Sequence, residues 1–214
     1  MGHGLAAVLA PVPALVLRWD AVFPLMLASA AVMGSPGPAT LSVAFVASTF
    51  GPRRAVTYLL GAIVGTVVVL FAVASGVTAT LLTFPALRVV LIAFSAVYLF
   101  WLAYRIATAP PLADQRAPGH PPPFAAATAF AIANPKAWVA TTAVFAGARL
   151  AETATADALA KTAVLALMIV LIMVGWLFVG ASFAPLLRNA RRARVVNVTL
   201  AVALVVTTVA AVVR

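Results

Sequence analysis

Gly34-Ser35-Pro36-Gly37-Pro38 interrupts an uncharged, apolar run that extends from Ala21 to Phe50. A proline removes a backbone donor and clashes with the preceding helical turn, while a glycine adds permissive backbone angles. A helix through this run must therefore kink or break near Pro36 and leave backbone carbonyls and amides without helical partners. In lipid such groups are tolerated only against other protein or a watery cavity. The stretch predicts either a binding site built from a broken membrane helix or a packed kink between helices.

A second interruption, Asn134-Pro135-Lys136, lies in the apolar segment from Phe124 to Gly147 and adds a positive charge. Two interrupted segments at corresponding positions of two halves point to the binding site of a transporter. The predicted substrate-binding residues are those of the two interruptions together with one aromatic ring that is deep enough in its span to face a cavity: Pro36, Gly37, Pro38, Asn134, Pro135, Lys136 and Tyr98.

The two interruptions belong to an internal repeat. Pro85 follows Pro36 at nearly the interval at which Pro185 follows Pro135, and both later prolines have Phe, Leu and Arg close by. We therefore expect a degenerate duplication. The predicted division of the chain is a leading segment at 1–20, a first three-helix repeat at 21–108, a proline-rich cytoplasmic linker at 109–122 and a second three-helix repeat at 123–214.

The composition indicates an integral membrane protein. Of 214 residues, 65% are hydrophobic and 8% are charged, and the mean hydropathy is +1.15, which is more apolar surface than a soluble domain can bury. The net charge of +10 would suggest nucleic acid in a soluble protein, but the basic residues lie mostly between apolar runs, where retention of loops in the cytoplasm explains them. We expect no nucleic-acid partner, and membrane lipid is the expected surrounding.

The cysteine and histidine content argues against metal, cofactor or enzyme chemistry. The chain has no cysteine, and His3 and His120 lie outside the apolar segments. Thiolate and imidazole sites are thus poorly supported, and the spans offer no nucleophile with an acid and a base. We expect no metal site, no cofactor and no catalytic residue.

Six segments reach or approach the ~20 residues that a membrane span requires. They are 21–50, 55–81, 86–108, 123–147, 162–183 and 195–213. The loops after odd-numbered spans hold eight basic residues and the other side holds five, which places both termini outside. Three spans per half then invert the second half. The predicted fold is all-α and polytopic, with six transmembrane helices in two inverted repeats and broken first and fourth helices.

Three further features carry predictions. Gly61 and Gly65 lie four residues apart in the second span, and with Gly76 they favour close helix packing. Residues 1–18 are apolar but contain two prolines and no basic start, so we expect a leading segment or an early start codon; a seventh span or an interfacial stretch is the alternative. All four acidic residues are expected at span ends or in loops, which leaves no buried carboxylate as a proton relay.

Lys136 is the charge that lies deepest within a predicted span. Its backbone is roughly 20 Å along the helix from the start of the fourth span, too far for a lysine stem to reach the surface. An ammonium there costs about 2.5 to 3.5 kcal/mol unless it meets carbonyls, water or an anion. The break at Pro135 would supply carbonyls, and a substrate carboxylate would be the anion. The alternatives are a charge that neutralises helix-end carbonyls or a later start of the span.

The motifs together resemble a known family, the LysE-type amino-acid exporters, which include lysine and homoserine-threonine efflux translocators. The resemblance covers nearly all of the chain after residue 19. It rests on Pro36-Gly37-Pro38, on Gly51-Pro52-Arg53-Arg54 with Gly61 and Gly65, on Tyr98-Leu99 with Leu102, and on Asn134-Pro135-Lys136-Ala137. The chain departs from the pattern at Ala55, Ser95 and Ala103, where the family tends to have glycine.

The resemblance implies a small secondary transporter in a bacterial inner membrane. Its substrate would be an amino acid or a related small metabolite, its driving force the proton gradient, and its assembly a homo-oligomer. A membrane accessory or assembly protein for envelope or lipid export, with the same fold but no transport of its own, is the alternative. Such a protein would show no efflux phenotype and would co-purify with a partner.

The charge distribution predicts that the loops at Arg53, Arg116 and Arg191 lie in the cytoplasm and that both termini lie outside. Reporter fusions after each span measure this topology directly. A C-terminal Arg214 found in the cytoplasm would contradict the prediction and would also remove the argument for inverted halves.

Overall fold

The computed structural model describes residues 18–76 and 119–183 continuously, together with separate helical residues between 93 and 108 and between 191 and 206. The two continuous ranges form helices and no strand. Their bounds are α1 (Trp19–Val32), α2 (Pro38–Phe50), α3 (Pro52–Ala74), α4 (Phe124–Ala133), α5 (Pro135–Phe145) and α6 (Ala154–Phe183). Tyr98, most of the leading segment, most of the linker and the C-terminus fall outside the described residues.

The first apolar run forms α1 and α2, with residues 33–37 between them. α1 ends where the amides of Met33 and Gly34 both donate to the carbonyl of Ser29, at 2.8 and 3.2 Å. α2 begins at Pro38, because the first helical position requires no backbone donor and the fixed φ of proline suits it. The hydroxyl of Thr40 accepts from the amide of Gly37 at 2.9 Å and so closes the first turn.

The fourth apolar segment is interrupted by a single residue. α4 ends at Ala133, Asn134 is extended, and α5 begins at Pro135. The side chain of Asn134 accepts a hydrogen bond from the amide of Lys136 at 3.1 Å, which is the bond of a helix N-cap. The interruption thus ends one helix at Ala133 and starts the next at Pro135.

The two long helices differ in extent from the predicted spans. α3 has 23 residues and α6 has 30, and 18-residue windows within them have mean hydropathies of 2.4 and 2.8, so both are long and apolar enough to cross a membrane. α3 ends seven residues before the predicted limit of 81, and α6 starts at Ala154 instead of 162. Gly76 has φ +78 in the turn after α3, and no atom of a described residue lies within 4 Å of a Cβ there. It ends the helix, and the described residues show no close packing at Gly76.

Small residues let the helices approach at the level of the backbone. A Cβ on Gly61 would collide with the carbonyl oxygen of Phe124 on α4, and one on Gly65 would lie 2.7 Å from the Cβ of Ala131. The hydroxyl of Thr128 also donates to the carbonyl of Gly61 at 3.1 Å. α3 and α4 therefore pack across positions that no larger residue can occupy.

α2 is the most enclosed helix among the described residues, since all its residues except Phe50 are buried. It packs against α3 and α6, and Gly180 of α6 lies against the backbone of Ala44. The outer faces of α1, α3 and α6 expose large apolar side chains. They include Trp19, Phe23, Leu60, Phe71, Leu171 and Phe178. Such a continuous apolar exterior around a helical core is what lipid requires.

A buried ion pair lies near the start of α6. Lys161 and Asp157 are 2.9 Å apart, with side chains 7% and 12% exposed. Asp157 also accepts from the amide of Leu150 at 2.6 Å, and the Lys161 ammonium lies 5.4 Å from the centroid of the Phe145 ring. Lys161 lies within α6 and not in the loop before the predicted span at 162–183, because the helix begins earlier than its hydropathy suggested. Asp157 is likewise a buried carboxylate.

Substitution of one partner of this pair should be costly. Lys161→Met leaves a buried carboxylate without its cation, and removal of one partner of a buried pair destabilises by about 3 to 5 kcal/mol. Asp157→Asn with Lys161→Met removes both charges and keeps an oxygen for the Leu150 amide. We expect the double variant to recover most of the lost thermal stability in detergent. A single variant as stable as the unchanged protein would contradict a structural ion pair.

Candidate functional site

The two interruptions of the apolar segments meet at the Lys136 side chain. Its ammonium donates to the carbonyl of Ser35 at 2.6 Å, to the hydroxyl of Ser35 at 2.8 Å and to the carbonyl of Pro36 at 3.1 Å. An ammonium has three N–H donors, so each one has an acceptor here. The first residues of α5 are thereby tied to the segment between α1 and α2, about one hundred positions earlier in the chain.

The acceptors of Lys136 come from the first interruption and not from its own. We expected carbonyls near Pro135 to receive the ammonium. The indole of Trp138 instead donates to the carbonyl of Ile132 at 2.7 Å, which occupies the acceptor that the break at Asn134 frees. The side chain of Lys136 donates instead to the segment between α1 and α2.

A second tryptophan donates a hydrogen bond to the first interruption. The indole of Trp176 on α6 donates to the carbonyl of Gly34 at 3.0 Å. The carbonyls of Gly34, Ser35 and Pro36 all receive side-chain donors from residues beyond position 133. Sequence reasoning missed both tryptophans. The available signal was only that a buried indole requires an acceptor and that a broken membrane helix offers some.

Gly37 provides the space that the Lys136 side chain fills. A Cβ on Gly37 would lie 2.6 Å from Cδ and 2.7 Å from Nζ of Lys136. The φ of Gly37 is −165°, an extended conformation open to any residue. The glycine is therefore required for the approach of Lys136 and not for the backbone conformation.

A cavity of about 40 Å³ lies beside these contacts. It is lined from α2, α3, α5 and α6 and from the residues at the two interruptions. The lining residues are Met33, Ala39, Thr40, Thr66, Asn134, Lys136, Ala137, Ala140, Thr141, Ile169, Ile172 and Met173. This space holds a few water molecules and is far smaller than the several hundred Å³ of a typical ligand pocket. The structure thus shows an arrangement in which the cavity is too small for an amino acid, here termed closed.

The predicted site residues divide into three groups. Asn134 and Lys136 line the cavity, and Gly37 and Pro38 are buried beside it. Pro36 is exposed and Pro135 is half-buried, and neither lines the cavity. Tyr98 lies outside the described residues. The lining also includes the hydroxyl residues Thr40, Thr66 and Thr141, which no sequence motif singled out.

The cavity has the electrostatic character of an anion site. Lys136 supplies a full positive charge, and the first turn of α2 lines the cavity with Ala39 and Thr40. The N-terminus of a helix carries a partial positive charge and free amides, both of which favour an anion. Within the described part of the chain, no cluster of three His, Asp or Glu residues could hold a metal ion.

Two long apolar helices, and two interrupted apolar segments that meet beside a small cavity, define a helical membrane protein. Residues 30–214 match the sequence model of the LysE type translocator family, so the chain belongs to that family. No curated protein and no solved structure matches it. The resemblance seen in its motifs is thereby confirmed, and the protein is a translocator of the membrane.

The contact between Gly37 and Lys136 predicts a chemical signature. Lys136 and Lys161 are the two lysines of the chain. In Gly37→Ala the new Cβ displaces the Lys136 ammonium from the Ser35 and Pro36 carbonyls, so an amine-reactive reagent should label Lys136 faster while Lys161 stays protected. Peptide mapping by mass spectrometry measures both sites.

Gly175→Ala is the matched control, because a Cβ there meets nothing within 4 Å. Its labelling pattern should equal that of the unchanged protein. Equal labelling of Lys136 in Gly37→Ala and in the unchanged protein would contradict the contact.

Proposed function

We propose that this protein is a secondary-active exporter of amino acids or related small metabolites across the bacterial inner membrane. The substrate site lies between the interruptions at Pro36-Gly37-Pro38 and Asn134-Pro135-Lys136. Membership of the translocator family supports transport in general. The observation that carries the site is the Lys136 ammonium, which is bound by carbonyls of the opposite segment at the edge of the cavity.

The substrate carboxylate binds Lys136 in exchange for backbone carbonyls. In the closed arrangement the ammonium is fully used by Ser35 and Pro36. A carboxylate is a stronger partner for an ammonium than a neutral carbonyl, since charge-assisted hydrogen bonds are the stronger ones. Entry of the substrate therefore releases the segment between α1 and α2 from α5 and widens the cavity. Departure of the substrate restores the contact.

The exchange couples binding to movement because the contact joins two halves of the protein. We propose two inverted repeats, at 21–108 and 123–214, with the linker at 109–122 in the cytoplasm. The packing supports this division: α2 of the first half packs on α6 of the second, and α4 of the second half packs on α3 of the first. Each interrupted segment thus contacts the long helix of the other repeat. Rocking of one repeat against the other gives alternating access.

The same proposal includes the lipid surroundings, the membrane spans and the oligomeric state of the protein. The apolar outer faces contact membrane lipid, the chain crosses the membrane several times, and the protein functions as a homo-oligomer. The first and fourth spans are α1 with α2 and α4 with α5, so each interruption lies near the middle of its span. That position places Lys136 close to the bilayer centre, where its contacts replace the hydration that it loses.

Efflux from cells tests the proposal. Intracellular and extracellular metabolites are measured in cells with and without the gene, and the exported amino acid is the one that accumulates outside only when the gene is present. Absence of any exported metabolite, with a membrane protein that co-purifies, would favour the accessory function instead.

Lys136→Ala should lower export about tenfold or more, because an ion-assisted hydrogen bond contributes about 1.5 to 3 kcal/mol. Lys136→Arg should also lower export, since the broad guanidinium does not fit beside Gly37. Arg149→Ala is the control, because Arg149 is exposed, lies after the end of α5 and does not line the cavity. Membrane-inserted protein is quantified in each strain. Export by Lys136→Ala equal to that of the unchanged protein, at matched amount, would show that the charge is structural.

A further inference from the structure

The hydroxyl of Thr141 is a buried polar group without a partner. Thr141 is 0% exposed and lines the cavity, and its Oγ1 has no hydrogen-bond partner among the described residues. A buried hydroxyl that makes no hydrogen bond destabilises the folded protein, so each such group calls for an explanation. A ligand in the cavity would provide the missing partner.

Three other helical threonines are satisfied within their own helices, whereas Thr141 and Thr142 are not. The three donate to the carbonyl four residues earlier, which satisfies the hydroxyl within the helix. These bonds are Thr66 to Ala62 at 2.8 Å, Thr128 to Phe124 at 3.0 Å and Thr162 to Ala158 at 2.7 Å. Thr141 has the same opportunity in the middle of α5 and does not use it. Its hydroxyl therefore makes no hydrogen bond within the helix, and the residue lines the cavity.

The charges around the cavity restrict what the ligand can be. Within the described part of the chain no acidic residue lines the cavity, whereas Lys136 does. Asp20 is exposed and pairs with Arg18, Glu152 is exposed, and Asp157 pairs with Lys161. Asp114, the remaining acid of the chain, is outside the described residues and within the predicted linker. A cationic side chain would meet a like charge and no carboxylate.

The remainder of the lining is apolar and flexible. Met33, Ile169, Ile172 and Met173 also line the cavity. Methionine adapts its shape at low cost, and isoleucine favours aliphatic contacts. The cavity therefore suits a small aliphatic group next to one carboxylate.

We propose that the cavity binds an amino acid with an uncharged, small side chain and that the Thr141 hydroxyl hydrogen-bonds its α-ammonium group. The carboxylate lies at Lys136 and the first turn of α2, and the oxygen of Thr141 accepts from the ammonium, for which no carboxylate is present. This inference rests on the proposed export function and adds its substrate class and a substrate-binding residue.

The experiment uses the purified full chain in proteoliposomes loaded with L-valine. Exchange of labelled L-valine is measured alone and with an excess of L-alanine, L-lysine or L-glutamate outside. We expect competition by L-alanine and little competition by L-lysine or L-glutamate. Competition by L-lysine equal to that by L-alanine would overturn the substrate class while leaving the export function intact.

Three variants test the residue. Thr141→Val keeps the shape and removes the hydroxyl, so the KM for L-valine should rise about three- to tenfold, the loss of one hydrogen bond, with kcat little changed. Thr141→Ser restores the hydroxyl and should restore the KM. Thr142→Val is the matched control, because its Oγ1 is also buried and unpartnered but Thr142 does not line the cavity.

Thermal stability separates binding from structure. Without substrate both valine variants should be at least as stable as the unchanged protein, since each replaces an unpaired hydroxyl with a methyl group. A rise in KM in Thr141→Val alone supports the proposal. An unchanged KM in Thr141→Val, or an equal rise in Thr142→Val, overturns the role of Thr141. Absence of exchange of any amino acid by the unchanged protein overturns the export function and the inference with it.

Discussion

The contact of the Lys136 ammonium with the carbonyls of Ser35 and Pro36 is the interaction on which the rest of the structure depends. Two prolines and two glycines remove helical hydrogen bonds from the middle of an apolar segment, and lipid offers no water to replace them. The freed carbonyls accept the hydrogen bonds of the half-buried ammonium, so both groups are satisfied together. Neither group would be stable in this place alone.

The carbonyls freed at the first interruption accept hydrogen bonds from side chains in the second half of the chain. Trp176 donates to Gly34 and Lys136 donates to the next two carbonyls, while Trp138 satisfies the second interruption locally. The two halves are therefore joined by directional bonds at the middle of their broken segments and by backbone packing at Gly61 and Gly65. Polar bonds are exchangeable by a ligand and small-residue packing is not, so the first is suited to movement and the second to a permanent interface.

The described structure contains two different charged sites, a buried ion pair and a half-buried ammonium. Asp157 and Lys161 form a pair with further contacts to Leu150 and Phe145, and this pair holds the turn before α6 against the end of α5. Lys136 has no acidic partner in the described residues and meets neutral oxygen atoms. An ion pair is complete without a ligand, whereas an ammonium held by carbonyls still gains from an anion. This difference favours Lys136 over Lys161 for the proposed contact with a substrate.

The sequence by itself determined the membrane class, the family and the positions of both interruptions, because hydropathy and the backbone chemistry of proline and glycine are local properties. It also identified Lys136 as a charge in need of a partner. Only the tertiary structure decided which partner, since the acceptors lie about one hundred residues away in the chain. The carbonyl of Ile132, which is nearer in sequence, accepts from Trp138 instead. The start of α6 could likewise not be predicted from hydropathy, because Asp157 and Lys161 lower the local value. Only the structure shows that the two charges pair with each other. The free hydroxyl of Thr141 has no signature in sequence, as a threonine in a helix normally bonds its own backbone.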